Sequence, residues 1–94
     1  MTEFLIELYV SKTDRGAIAT LRERLSNAAA ALTSEGSPIR LVRSFFVPED
    51  ETCFLLVEAL TAETVHETAR RAALACERVS ETAADPTHDR RYHT

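Results

Sequence analysis

Residues 39–60 read Ile-Arg-Leu-Val-Arg-Ser-Phe-Phe-Val-Pro-Glu-Asp-Glu-Thr-Cys-Phe-Leu-Leu-Val-Glu-Ala-Leu. Two runs rich in β-branched, aromatic and aliphatic residues, Ile39 to Val47 and Thr52 to Leu60, flank Pro48-Glu49-Asp50-Glu51. Such side chains fit a pleated, half-buried surface, and a proline leading polar residues suits a turn. The stretch therefore predicts an antiparallel hairpin. It decides the fold because of what stands on either side of it.

On the N-terminal side, Phe4, Ile6, Leu8 and Val10 share one parity and Leu5, Glu7 and Tyr9 the other. That is a strand with one apolar and one mixed face. Ser11-Lys12-Thr13-Asp14 matches a capping box, with Asp in the place of Glu or Gln. Ile18, Leu21, Leu25, Ala28, Ala29 and Leu32 follow at helical spacing, predicting an amphipathic helix over about 14–35 that Gly36 ends and Pro38 keeps from resuming. On the C-terminal side, Thr61 is a suitable N-cap and Glu63 suits the positive end of a helix over 62–74, with Val65, Ala69, Ala72 and Ala73 on its inner side. Residues 75–82, with Cys76, Val79 and Thr82, form a weaker pattern that fits a short edge strand.

The order β-α-β-β-α-β predicts an α+β, ferredoxin-like fold: a four-stranded antiparallel sheet with both helices on one face. Right-handed crossovers place the first and third strands in its centre. No helix remains for the other face, although Leu5 and Tyr9 lie on the minor parity of the first strand and the third strand is apolar on both. An uncovered apolar face predicts an interface or ligand site, and its common solution is a two-fold homodimer, sheet against sheet.

Ninety-four residues, 45% hydrophobic and 28% charged, suit one domain, expected over 1–82, with a polar tail over 83–94. A net charge of -4 lacks the basic footprint of a nucleic-acid partner. No apolar run approaches the roughly 20 residues of a membrane span. An acidic start without a signal pattern and two cysteines without a framework, Cys53 and Cys76, lead to an expected cytoplasmic location.

The stretches Phe4-Leu5-Ile6-Glu7, Arg43-Ser44, Phe46 to Phe54, Phe54 to Ala59 and Ala62-Glu63-Thr64-Val65 resemble a family of small, mostly actinobacterial proteins of unknown function, some of whose members bind nickel. The resemblance covers about residues 3–82. It implies the ferredoxin-like fold and a dimer, with nickel as a candidate metal. Nickel-binding members carry a Met-Asp-x-His-like first strand and histidines on both helices. Here the strand has Phe4, Leu5, Ile6 and Glu7, the first helix has no histidine, and only Val65-His66 matches a histidine-bearing stretch.

Glu7 and Glu58 are each the lone acid within a largely apolar strand interior. A carboxylate in a partly covered site needs a cation, a proton or a ligand. Together on the open face they would form a polar focus able to hold a cationic group or act as a base. The alternative is a structural ion pair with Arg40 or Arg43, whose opposite parity predicts that they face opposite sides of the sheet. Arg43 suits bidentate capture of a carboxylate. Tyr9 shares the face of Glu7 and offers a hydroxyl or interface packing. His66 is a candidate metal ligand, although a site needs three or four converging donors. His88 and His93, with Asp85 and Asp89, fall in the tail. The cysteines suit small buried hydrophobes. With only Gly16 and Gly36 there is no glycine-rich phosphate loop, and no nucleophile elbow occurs. Three functions follow: a dimeric protein holding a small ligand, or a divalent metal, at the open face; a structural or regulatory dimer; and a cofactor-independent oxygenase or cyclase of the dimeric α+β barrel type, with Glu7 or Glu58 as base.

Overall fold

The computed structural model describes residues 1–83. The elements are β1 (Thr2–Tyr9), α1 (Gly16–Ser34), β2 (Ile39–Val47), a 3₁₀ turn (Pro48–Asp50), β3 (Thr52–Ala59), α2 (Ala62–Arg71) and β4 (Cys76–Glu81). They form an antiparallel sheet in the order β2-β3-β1-β4, with β1 and β3 central as the crossover rule requires. This is the ferredoxin-like α+β fold. The tail histidines and Asp85 and Asp89 lie outside the described residues.

Alternation builds the core. Phe4, Ile6 and Leu8 of β1 and Cys53, Leu55, Val57 and Ala59 of β3 turn one way and are buried against the helices. α1 meets them with Leu25, Ala28, Ala29 and Leu32, and α2 with Val65, Thr68 and Ala69. Fully burying a Leu, Ile or Val contributes about 1.5–3 kcal/mol, and Ile6, Leu25, Leu55, Val57 and Val65 are sealed almost completely. Thr68, buried with them, donates its hydroxyl to the Thr64 carbonyl at 2.7 Å and leaves no orphaned polar group.

The start of α1 and the end of α2 differ from what the sequence predicts. α1 starts at Gly16, and its N-cap, Arg15, makes no side-chain cap. The Ser11 hydroxyl instead accepts from the Thr13 N–H at 3.3 Å while the Ser11 carbonyl accepts from Asp14 N–H, so these residues close a turn before the helix. Thr61 caps α2 as expected, its hydroxyl accepting from Thr64 N–H at 3.3 Å. α1 ends in a Schellman motif with Gly36 at φ 99°, where Gly36 N–H reaches the Thr33 carbonyl and Ser37 N–H that of Leu32. α2 ends the same way, but Ala73 occupies the left-handed position at φ 56°. Ala73 is therefore exposed rather than on the inner stripe, and Leu74 takes the buried place. Arg24 of α1 secures this end, donating to the carbonyls of Ala72 at 2.9 Å and Ala73 at 2.8 Å.

Candidate functional site on the helix-free sheet face

The register fixes what the open face carries. Glu3 faces Glu58, Leu5 faces Leu56, Glu7 faces Phe54 and Tyr9 faces Thr52 across β1 and β3. Arg40 stands opposite Glu58, Arg43 opposite Leu56 and Phe45 opposite Phe54 on β2. Arg78 of β4 stands opposite Glu7. The apolar members form one continuous strip: Leu5, Phe54 and Leu56 are half-buried, and Phe45 keeps 44% of its surface exposed. The rings of Phe45 and Phe54 stack with centroids 5.0 Å apart.

Both arginines of β2 lie on this face, which corrects the expectation from their parity. The pairing slips between Leu41 and Arg43, so Val42 is an extra residue in β2. A bulge of this kind resets the in–out alternation, and Val42 is left 40% exposed at the sheet edge. β4 slips likewise beside the Glu7–Leu8 step, which sends Cys76 and Val79 to the helix side.

Glu7 and Glu58 share the face but do not converge. Glu58 sits opposite Glu3, four residues along β1 from Glu7, a separation of roughly 13 Å at ~3.3 Å per residue. Each has its own cation. Arg40 Nε donates to Glu58 Oε1 at 2.7 Å, while Arg78 approaches Glu7 only to 3.8 Å. Arg40 also offsets the repulsion of the directly opposed Glu3 and Glu58. Arg43 forms no ion pair among the described residues. Tyr9, 58% exposed, donates its hydroxyl to Glu51 Oε2 at 3.3 Å. The same oxygen accepts from Lys12 N–H at 3.0 Å, and the Glu51 carbonyl accepts from Val10 N–H at 3.0 Å.

Sequence reasoning thus names Glu7, Glu58, Arg43 and Tyr9, which all lie on the open face, although the parity of β2 left undecided whether Arg43 would. It misses Arg78, Glu51 and the Phe45–Phe54 stack. The stack was accessible in principle, since a hairpin turn over 48–51 sets Phe45 near Phe54. The Arg78 pairing depends on the register of β4 against β1, which no local pattern announces.

His66 lies elsewhere. It is exposed on α2, beside a groove of about 660 Å³ that Glu35, Glu63, Glu67, Arg70 and Arg71 also line. Among the described residues, no group of three or more His, Cys, Asp or Glu could hold a metal ion. The groove's charges serve one another. Arg71 grips Glu35 through two bonds of 2.7 and 2.9 Å and reaches Glu67 at 2.9 Å, while Arg70 holds Glu67 at 2.6 and 3.0 Å. Hydrogen bonds from Arg70 and then Arg71 bring the Glu67 carboxyl down to about 2. The Arg71 bond also lowers Glu35. Burial pushes the thiols of Cys53 and Cys76 up, which keeps them protonated and poorly nucleophilic.

Fold and face define a small ferredoxin-like α+β protein whose helix-free side is apolar at its centre and charged around it. No family model matches the chain, and no curated protein sequence matches it. Its structure is similar to the crystal structure of SCO4226 from Streptomyces coelicolor A3(2), with a TM-score of 0.65 and 15% identity over 88% of this chain and 98% of that chain. That likeness establishes the shared fold. Function has to be argued from the site. No helix among the described residues is long and apolar enough to cross a membrane.

Proposed function

We propose that this is a cytoplasmic binding protein that works as a two-fold homodimer, closing its helix-free faces on each other around a small ligand. The observation that carries this reading is the half-exposed strip of Leu5, Phe45, Phe54 and Leu56, lying where no element among the described residues covers it. Four strands of about eight residues present a face of roughly 19 by 26 Å. Burying it on two partners approaches the ~1,000 Å² of a stable interface. The ligand has an apolar body that rests on the phenylalanine stack. Its acidic group pairs with Arg43, whose planar guanidinium suits a carboxylate.

Native mass spectrometry of the untagged protein tests this. A dimer carrying an organic mass supports it, as does a dimer stabilised in a thermal-shift panel of apolar carboxylates, with the gain lost in Arg43→Ala. A monomer overturns it. Phe45→Glu places a charge in the strip and is expected to give a folded monomer. A bare dimer that no member of the panel stabilises favours the structural reading instead. That reading has its own support in the Arg40–Glu58 pair, where the one closely held acid of the face is already neutralised.

A further inference from the structure

Glu51 sits in the left-handed region at φ 48°, a conformation that suits glycine and costs a glutamate. Its side chain has a task there. Oε2 is pinned by Lys12 N–H at 3.0 Å and accepts the Tyr9 hydroxyl at 3.3 Å. The backbone of Glu51 ties the same corner together, its carbonyl taking Val10 N–H and its N–H reaching the Pro48 carbonyl. The direction of the Tyr9 bond is fixed by chemistry. An ionised carboxylate only accepts, so the phenol must give its single proton to Glu51. What Tyr9 then offers outward is its oxygen lone pairs.

Resting on the ligand-binding reading above, we propose that Glu51 is a positioning residue that fixes Tyr9 as a hydrogen-bond acceptor, so the open face selects ligands presenting an N–H or O–H donor at this corner. Arg43 lies two strands away, on β2, and serves the opposite chemistry. The face therefore distinguishes its two ends: a donor of its own at Arg43 and an acceptor at Tyr9. A tyrosine free to rotate its proton would accept either kind of group. One held by Glu51 does not. Lys12 does not occupy the carboxylate with its ammonium, since among the described residues it forms no salt bridge and contributes only its backbone N–H.

Two probes with the same apolar body and the same charge test this: phenethylammonium, which carries three donors, and phenethyltrimethylammonium, which carries none. They are titrated into the full-length protein while the ring signals of Tyr9, Phe45 and Phe54 are followed by nuclear magnetic resonance. The wild type is expected to prefer phenethylammonium about tenfold, the equivalent of one hydrogen bond. Tyr9→Phe is expected to abolish that preference, whereas Glu51→Gly, which frees the Tyr9 hydroxyl to turn its proton outward, is expected to strengthen the binding of 3-phenylpropionate severalfold, a gain lost when Tyr9→Phe is combined with it. Glycine adopts the left-handed turn freely, so the second variant keeps the corner's backbone. Equal affinities in the wild type, or a preference that survives Tyr9→Phe, overturn the assignment of Glu51 and Tyr9. If none of the three probes moves the Phe45 or Phe54 signals, the ligand-binding reading of the face falls as well. If 3-phenylpropionate alone moves them, only this inference falls.

Discussion

At the residue scale, Glu67 shows how local geometry sets a charge. It lies between Arg70 and Arg71, three and four positions on along α2, where helical side chains meet. Its carboxyl falls from an ordinary 4.5 to about 2. A carboxyl depressed in the folded state stabilises the fold above its unfolded value, and that contribution is lost as the pH falls through the folded value. The network is therefore expected to support the fold above about pH 4.5 and to fade toward pH 2. Melting temperatures of wild type and Glu67→Gln should differ at neutral pH and converge across that window. The pairs are solvent-exposed, so the difference is small and shrinks further in salt. Site residues obey the same local logic less simply. An ion pair of Glu58 with Arg40 was one of the alternatives legible in the sequence. That Arg43 would share their face was not, because a bulge depends on how two strands pair and not on the residues of one.

At the scale of the element, the two helix ends form a matched pair. Each closes in a Schellman motif, one with Gly36 and one with Ala73 in the left-handed position. Only glycine takes that conformation without cost. Gly36→Ala should lose about 1 kcal/mol, even though a Cβ there meets nothing within 4 Å. Ala73→Gly should gain up to about 1 kcal/mol for the converse reason. Denaturant midpoints at constant slope would check both, and a destabilised Ala73→Gly would show that Arg24, bonded to the Ala73 carbonyl, depends on the alanine. Gly36 was plain in the sequence because glycine beside a fading apolar stripe marks a helix stop. Ala73 was read as one more inner alanine. Helical periodicity carries no sign of where the backbone leaves the helix unless the residue there is a known breaker.

At the scale of the whole molecule, one layer of helices covers one face of the sheet, and stability comes from the seam between them. Leu25 of α1 is fully buried in it. Leu25→Ala should cost about 2–5 kcal/mol, read as a lower denaturant midpoint, because the rigid sheet beneath cannot collapse into the cavity. A loss near 1 kcal/mol would mean that α1 packs more loosely than its burial implies. On the uncovered face, Leu5, Phe45, Phe54 and Leu56 add nothing comparable while they face water, which is why a second copy of the chain is the partner proposed for them.

Alternation along β1 and β3, the 3.6-residue stripes of the helices and the turn after Val47 were enough to determine the element order, the sheet order and the helix-facing core. These are short-range signals, and burying one face of each element leaves a single economical arrangement. Tertiary structure alone decided how the open face is furnished. The bulge at Val42 brought Arg40 and Arg43 to one side, and the register of β4 against β1 put Arg78 there too. Register set Glu7 and Glu58 apart, and a turn residue, Glu51, reached back across the chain to hold Tyr9. Each of these depends on which residue stands opposite another on a neighbouring strand, a relation that exists only once the chain has folded.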